Sequence, residues 1–273
     1  MSWLALAPAS LAPAPPVPRC RLGAKLERLL SQAGVLSRRH AARRIRLGEV
    51  KVNGRVKLDP LSSVDSSDLV ELKGYGKVSM PDWSETPPRL VVYNKPQGVV
   101  TSLRGADSRS TDLHLRSLHE ALPEPFKGQL QEVPALRPVG RLDAESLGLL
   151  LFTDCSQLGD RLLAYGKEYL LRVTPLPSES VLQRLRGGVR IPDGKGRTSP
   201  CPVDLVRQEQ HSAVLRFLLR SGRNRQLRRM CRAVGLRVDW LMRTRLGPIR
   251  LGTLPLGAAR DATPEERQQL DLP

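Results

Sequence analysis

The sequence predicts an α+β architecture of two domains, a small one followed by a larger mixture of strands and helices. The chain has 273 residues, 40% of them hydrophobic, which suits one medium domain plus a small accessory domain. Helix and hairpin signals alternate compactly at 25–75, and a proline-containing stretch without hydrophobic period follows at 76–88. We therefore expect a small domain at 25–75, a linker at 76–88 and a larger domain at 89–273, after a leader at 1–24.

The composition indicates a polyanionic partner. Lys and Arg number 44 against 27 Asp and Glu, giving a formal net charge of +17, so nucleic acid leads the expected partners. No run approaches the roughly 20 apolar residues that a transmembrane helix needs, and we expect no membrane partner. The four cysteines and four histidines show no metal-ligand spacing. We therefore expect no metal, no disulfide framework and a reducing compartment.

The leader at 1–24 contains no Asp or Glu, carries Arg19 and Arg21, and is dominated by Ala, Leu and Pro. Such a segment is typical of an organellar transit peptide, and we favour the chloroplast over the mitochondrion. A disordered tail and a secretory signal are the alternatives. If the leader is not a transit peptide, a bacterial-type cytoplasm is expected.

The small domain begins with two predicted helices. The first covers about 24–33, and Ser37 is placed as the N-cap of a second helix at 38–47 that Gly48 can end in a left-handed conformation. The segment at 49–57 carries Asn-Gly between alternating residues, which predicts a hairpin with a type I′ turn.

A basic face follows from the second helix, because residues at i, i+4 and i+7 project together. The segment 38–57 has eight basic residues and one acid, which favours a phosphate-binding surface over an ordinary solvated helix face. The segments KLERLL (25–30), GVLSRR (34–39) and GEVKVNG (48–54) resemble the S4 RNA-binding domain. That resemblance implies an RNA-binding set of Arg38, Arg39, Arg43, Arg46 and Lys51.

The larger domain carries the motif GRLDAESLG at 140–148, which leads into the apolar strand pattern LGLLLFT. Asp143 therefore directly precedes a predicted buried strand, which would hold its carboxylate in a fixed position. The alternative is that this aspartate only forms a turn or an N-cap, as an aspartate before a strand more often does. The order of residues resembles the active-site motif of RsuA/RluF-type pseudouridine synthases. YNKPQG (93–98), KEY (167–169) and GRNRQLRRM (222–230) resemble further motifs of that family in the same order.

The resemblance implies a catalytic domain with a mixed, mainly antiparallel sheet flanked by helices, and an isomerase that needs no cofactor. Uracil must leave C1′ of its ribose, turn and rejoin through C5. Asp143 is the implied catalytic group, either attacking C1′ or helping to remove a 2′ proton, and the sequence leaves both routes open. Arg228 is implied as its ion-pair partner, with outward projection to solvent as the alternative. Tyr169 is implied to stack on the base, with core packing as the alternative.

Further residues follow from the same resemblance. Leu142 and Leu227 are expected to line the substrate pocket. Arg141 is expected to act as the wedge when the nucleotide flips out, or else to contact phosphate or brace its loop. The segment 216–250 has eleven arginines and one acid, and we expect it to hold the RNA backbone through Arg223, Arg225 and Arg229.

The expected substrate is a uridine of ribosomal RNA, and the expected state is a monomer. The principal alternative is a non-catalytic ribosome-assembly factor that keeps the S4 domain, and a basic DNA-binding regulator is a third possibility. The chain departs from the family pattern at 164–166, where the connection before KEY is shortened, and at Asp154, where Asn is common. Both departures shortly precede Tyr169 in the sequence, so the family pattern alone does not predict where the Tyr169 side chain lies relative to Asp143.

Overall fold

The computed structural model describes residues 24–65, 67–78, 87–101, 115–130, 135–192, 194, 196–220 and 222–272. The predicted leader, except for Ala24, and most of the predicted linker lie outside the described residues. The described residues combine helices with antiparallel-rich sheets, which confirms the α+β class. Within them, no helix is long and apolar enough to cross a bilayer.

The N-terminal domain forms the predicted pair of helices and a hairpin. The Ser37 side chain accepts a hydrogen bond from the His40 amide and so caps the second helix. Asn53 and Gly54 have φ values of 51° and 76°, the left-handed pair that a type I′ turn requires. The elements are β1 (Ala24–Lys25), α1 (Leu26–Gln32), α2 (Arg38–Arg46), β2 (Val50–Val52), β3 (Arg55–Lys57), β4 (Ser63–Val64), β5 (Val70–Leu72) and β6 (Gly76–Val78).

Strand pairing corrects two predicted boundaries of this domain. The first helix starts at Leu26, because Ala24 and Lys25 pair with β4 instead. The sheet order is β3-β2-β5-β6, so residues 76–78 belong to the domain and not to the linker. The reason is packing, since Val78 pairs with Val70 and is buried in the core of this domain.

The larger domain is built on one long sheet of order β13-β14-β12-β15-β11-β7-β17, with β10 paired to β11 and β16 to β15. Its elements are β7 (Leu90–Lys95), β8 (Val99–Val100), β9 (Arg116–Ser117), α3 (Leu118–Ala121), β10 (Arg137–Val139), β11 (Leu147–Thr153), α4 (Ser156–Ala164), β12 (Lys167–Thr174), α5 (Glu179–Arg186), β13 (Val203–Gln208), β14 (Ala213–Leu219), α6 (Gln226–Ala233), β15 (Arg237–Leu246), β16 (Ile249–Arg250), β17 (Ala259–Asp261) and α7 (Pro264–Gln268). Every pairing in this sheet is antiparallel except that of β11 with β15.

The parallel junction between β11 and β15 depends on Gly148. This residue has a φ of 99°, and a Cβ placed on it would lie 2.3 Å from the backbone oxygen of Arg243. Only glycine therefore allows the two strands to approach this closely. The junction brings the loop that precedes β11 beside β12 and β15, and that loop carries Asp143.

The helices pack as the apolar pattern predicts. On α6, Leu227, Met230 and Cys231 are buried in one core cluster with residues of β12, β14 and α5. On α4, Leu158 and Leu162 are buried in a second cluster with residues of β7 and β11.

The Lys167 side chain holds the connection at 164–166 in place. The Lys167 ammonium donates to the backbone oxygens of Leu163 and Tyr165, at 2.8 and 2.9 Å, and the Tyr165 side chain packs against the core. At the second departure, the Asp154 carboxylate accepts from the backbone amide and the guanidinium of Arg89, at 3.0 and 2.8 Å. Hydrogen bonds therefore stabilise the chain at both positions that depart from the family pattern.

Candidate active site

A cleft of about 440 Å³ opens where the loop at 140–146 meets the start of β12, the middle of β15 and the start of α6. It brings together residues that are far apart in the sequence. The predicted site residues that line it are Arg141, Leu142, Asp143, Tyr169, Arg223, Arg225, Leu227 and Arg228. The predicted residues of α2 and the hairpin lie outside this cleft, on the other domain.

Asp143 lies on the loop between β10 and β11, with its side chain 37% exposed. Its backbone oxygen accepts from the Ser146 amide at 2.9 Å. The neighbouring Leu142 is buried, and its amide and carbonyl both bond the Thr101 hydroxyl, at 3.1 and 2.6 Å. The loop is thus fixed on both sides of Asp143, while the carboxylate itself stays accessible from the cleft.

The structure corrects the predicted partner of Asp143. Arg225 has a nitrogen 3.9 Å from the Asp143 carboxylate and donates to both carboxylate oxygens of Glu145, at 3.1 and 3.0 Å. Arg228 lies 3.4 Å from the Glu145 carboxylate. In the structure Asp143 therefore has Arg225, and not the predicted Arg228, within ion-pair distance. Glu145, two residues beyond Asp143, takes both guanidinium groups, and its hydrogen bond with Arg225 lowers the pKa of its carboxyl group.

Backbone geometry explains why Arg225 is the nearer arginine. Arg225 is the residue before α6 and adopts a left-handed conformation with φ 49°, which directs its side chain to the loop at 140–146. Arg228, one turn into the helix, instead donates to the backbone oxygens of Glu145 and Val238, at 3.2 and 3.4 Å. It therefore ties the loop to the sheet.

Tyr169 and Leu227 supply the apolar side of the cleft. Tyr169 is half-buried on β12 and packs against two core clusters while lining the cleft. It thus takes part in core packing and also presents a surface to the cleft. Leu227 is 4% exposed at the start of α6.

Residues 89–233 match the family of RNA pseudouridylate synthases, which is more than half of the chain. This chain belongs to the RNA pseudouridylate synthase family. It is accordingly an isomerase. Residues 25–70 match the S4 domain, so the chain carries the RNA-binding domain that its N-terminal sequence predicts.

Relatives and solved structures agree with this membership. The chain is 32% identical over 252 residues to the ribosomal large subunit pseudouridine synthase B of Bacillus subtilis, covering 90% of this chain and 95% of the relative. It is 33% identical over 252 residues to an uncharacterized RNA pseudouridine synthase of Aquifex aeolicus, covering 90% and 93%. A crystal structure of a pseudouridylate synthase superposes with a TM-score of 0.60 at 23% identity, covering 92% of this chain and all of that one. This last likeness concerns the fold.

The predicted RNA-binding residues of the S4 domain of this synthase lie on its surface. Arg39, Arg43, Arg46 and Lys51 are exposed. Arg38 is exposed as well, although its guanidinium pairs with Glu27 at 3.1 Å. The exposed arginines lie opposite the buried apolar side of α2.

The arginines at 216–250, which the sequence predicts to hold the RNA backbone, differ in burial and in partners. Arg243 and Arg245 are 2% and 6% exposed, inside the sheet. Arg216 pairs with Asp204 at 2.7 Å. Arg223 lines the cleft, but its guanidinium donates to the backbone oxygens of residues 196 and 197, and Arg229 donates to the Asn224 side chain at 3.1 Å. Strand alternation and helix packing bury two of the eleven arginines and half-bury four more, which a count of arginines cannot show.

Three buried cations near the cleft were not anticipated as functional groups. Lys95, Lys167 and Arg243 are 0%, 8% and 2% exposed. The Lys95 ammonium donates to the backbone oxygens of Pro96, Val99 and Ala144, at 2.8, 2.7 and 3.5 Å. It therefore links the turn after β7 to the loop that carries Asp143. The sequence signal was available, because a lysine that ends a mostly apolar strand pattern, LVVYNK, is unusual.

Burial lowers the pKa of Lys95 to about 8, with the Asp143 charge opposing the shift. Between that value and the unfolded value of about 10.4, the unfolded chain binds more protons than the folded chain. The free energy of unfolding therefore rises with pH in this window. We expect the stability of the wild type, relative to Lys95→Met, to increase by ~3 kcal/mol across this window.

Urea unfolding at several pH values measures this difference, and Lys167 is present in both proteins and cancels. Lys77→Met, at an exposed position of the small domain, is the control for which a flat difference is expected. A flat difference for Lys95→Met would show that its ammonium is not buried in solution.

Proposed function

We propose that this enzyme isomerises a specific uridine of ribosomal RNA to pseudouridine and that Asp143 acts at C1′ of that uridine. The observation that carries the proposal is the accessible Asp143 carboxylate in one cleft with Tyr169 and Leu227. The Bacillus subtilis relative bears the name of a ribosomal large subunit enzyme, which supports the large subunit as the source of the target. A monomer is sufficient for this proposal, since every residue it uses lies on one chain.

The chemistry explains why a carboxylate and a flat apolar pocket belong together. The N1–C1′ bond breaks and the C5–C1′ bond forms, while the C5 proton is lost and N1 gains a proton. No redox or phosphoryl energy is needed. An ionised Asp143 serves either route, attack on C1′ or assistance in removing a 2′ proton. The Arg225 guanidinium lies 3.9 Å from this carboxylate.

The remaining predicted residues of the cleft bring the target uridine to Asp143. A uridine in a folded RNA must be flipped out of its stack, at a cost of about a few kcal/mol. Arg141 is exposed on the cleft wall and is placed to occupy the space that the base leaves. Tyr169 then stacks on the flipped base, a contact worth about 1 to 3 kcal/mol. Leu142 and Leu227 keep water from the reacting atoms.

The decisive experiment maps pseudouridines in ribosomal RNA from cells with and without this protein. We expect one uridine, or a small set, to lose modification in the null strain and to regain it with the wild-type gene. An unchanged map, together with retained rRNA binding by the purified protein, would replace this proposal with the non-catalytic assembly factor.

The S4 surface gives a second prediction, on affinity. We expect the double variant Arg39→Ala, Arg43→Ala to bind RNA more weakly and to lower the magnitude of the slope of log K against log salt by about 1.5, because two phosphate contacts are lost. The control is Arg184→Ala with Arg190→Ala, which removes the same charge from exposed positions of the larger domain. Equal slopes for the two double variants would exclude α2 as the contact surface.

We also propose an organellar location, with the chloroplast favoured over the mitochondrion. The support is the acid-free, Ala-, Leu- and Pro-rich leader, most of which lies outside the described residues. A fluorescent protein fused behind residues 1–24 tests this, and diffuse cytosolic fluorescence would argue for a leader without targeting function.

A further inference from the structure

One buried cation of the cleft has an unused hydrogen-bond donor. Arg243 lies on β15, lines the cleft together with Asp143 and Tyr169, and is 2% exposed. Its Nε donates to the backbone oxygen of Leu149 at 2.7 Å. Its Nη2 is buried and has no acceptor among the residues that the structure describes. A buried donor that is left unpaired destabilises the folded state, and more strongly when the group is charged.

The two neighbouring lysines do not share this property, and Arg228, whose buried Nε also lacks a hydrogen bond, lies 3.4 Å from the Glu145 carboxylate. The ammonium groups of Lys95 and Lys167 each donate to two or more backbone oxygens, so they are used in holding the loops. Burial lowers the pKa values of both lysines to about 8, and the nearby charge of Arg243 adds to this lowering. Arg243 has no carboxylate within ion-pair distance among the described residues. Among the described residues, no ion pair therefore neutralises the positive charge of Arg243.

Burial without a partner is unusual for a charged group in a folded protein. A ligand bound in the cleft could supply the hydrogen-bond acceptor that the Arg243 Nη2 lacks. Two acceptors of an RNA could do so, a phosphate oxygen or a carbonyl oxygen of the base. The position of Arg243 decides between them. On adjacent strands Arg243 is the register partner of Tyr169, whose ring the base would stack on, whereas exposed Arg220 lies on the cleft wall nearer to solvent.

We infer that the Arg243 guanidinium donates a hydrogen bond to a carbonyl oxygen of the flipped uracil and stabilises the ring while it is detached from the ribose. The inference rests on the proposed function. When the N1–C1′ bond breaks, its electron pair stays on the ring and spreads onto O2 and O4. The pair returns when C5 bonds to C1′, after which the C5 proton leaves and N1 is protonated. A fixed cation in a water-poor site is most effective at the moment when this charge develops.

The test measures single-turnover pseudouridine formation in the target RNA with the full-length enzyme. For Arg243→Ala we expect the rate of the chemical step to fall about 100-fold, the magnitude seen when one such donor is removed, with RNA affinity unchanged. Added guanidinium, far below denaturing concentrations, is expected to restore part of the rate by occupying the vacated space. Arg243→Lys, which keeps the charge without the planar donor pair, is expected to fall between Ala and wild type.

Arg245→Ala is the matched control, because Arg245 is equally buried on the same strand but lies outside the cleft and pairs with Glu168 at 3.5 Å. We expect its rate to change little and not to respond to guanidinium. The proposed role of Arg243 would be overturned if Arg243→Ala reacted at the wild-type rate. It would also be overturned if both alanine variants lost the same activity and guanidinium restored neither, and in both cases the proposed function would still stand. Inactive wild type on every ribosomal RNA would instead overturn the proposed function.

Discussion

Replacing Asp143 by asparagine is expected to abolish pseudouridine formation while RNA binding is retained. Asparagine has the same shape, so the bonds that hold the loop through Thr101 and Ser146 should persist. It can neither attack C1′ nor accept a 2′ proton at a useful rate. Removal of one member of a catalytic group lowers the rate by about 10⁴-fold or more, and a single-turnover assay on ribosomal RNA should therefore detect no product.

The control for this experiment is Asp160→Asn, which neutralises a largely exposed carboxylate on α4. Its rate and affinity should match those of the wild type. Measurable product from Asp143→Asn at a rate close to the control would remove Asp143 from the chemistry and reopen the choice of catalytic group. Loss of RNA binding in Asp143→Asn would show that the carboxylate supports the fold of the cleft.

The second large effect is expected at Arg228 rather than at Arg225. Arg228 is 15% exposed and ties the loop to the sheet through backbone oxygens of Glu145 and Val238. Its removal frees the segment next to Asp143, and a misplacement of about 1 Å can cost about 100-fold in rate. Arg225 is 39% exposed and 3.9 Å from Asp143, so solvent screens its charge and its loss should cost ~1 kcal/mol, or less than tenfold.

Rates of the chemical step for Arg225→Ala, Arg228→Ala and the control Arg232→Ala distinguish these roles. Arg232 is exposed on the same helix and does not line the catalytic cleft, so its variant should behave as wild type. A larger loss for Arg225→Ala than for Arg228→Ala would mean that the direct charge on Asp143 outweighs the positioning of its loop.

Much of the fold could be predicted because its signals are local. Ser37 caps α2 through an amide three residues away, and the Asn53-Gly54 turn depends on its own backbone conformations. The apolar positions of α6 repeat at helical spacing and are buried accordingly. Residues 76–78 could not be assigned in this way, because a three-residue strand is defined by the strand it pairs with.

In the candidate site, too, local features could be predicted from the sequence and long-range contacts could not. By itself the sequence determined the order of the motifs, and with it the family, the S4 domain and Asp143 as the candidate catalytic group. Only the tertiary structure decided which charges meet. Glu145 contacts Arg225 across 80 positions of sequence, and Lys95 reaches Ala144 across 49. Arg243 is buried beside Gly148 through a parallel strand pairing. Ion pairs and buried donors depend on distance and desolvation in three dimensions, and these are set by packing between elements that sequence spacing does not encode.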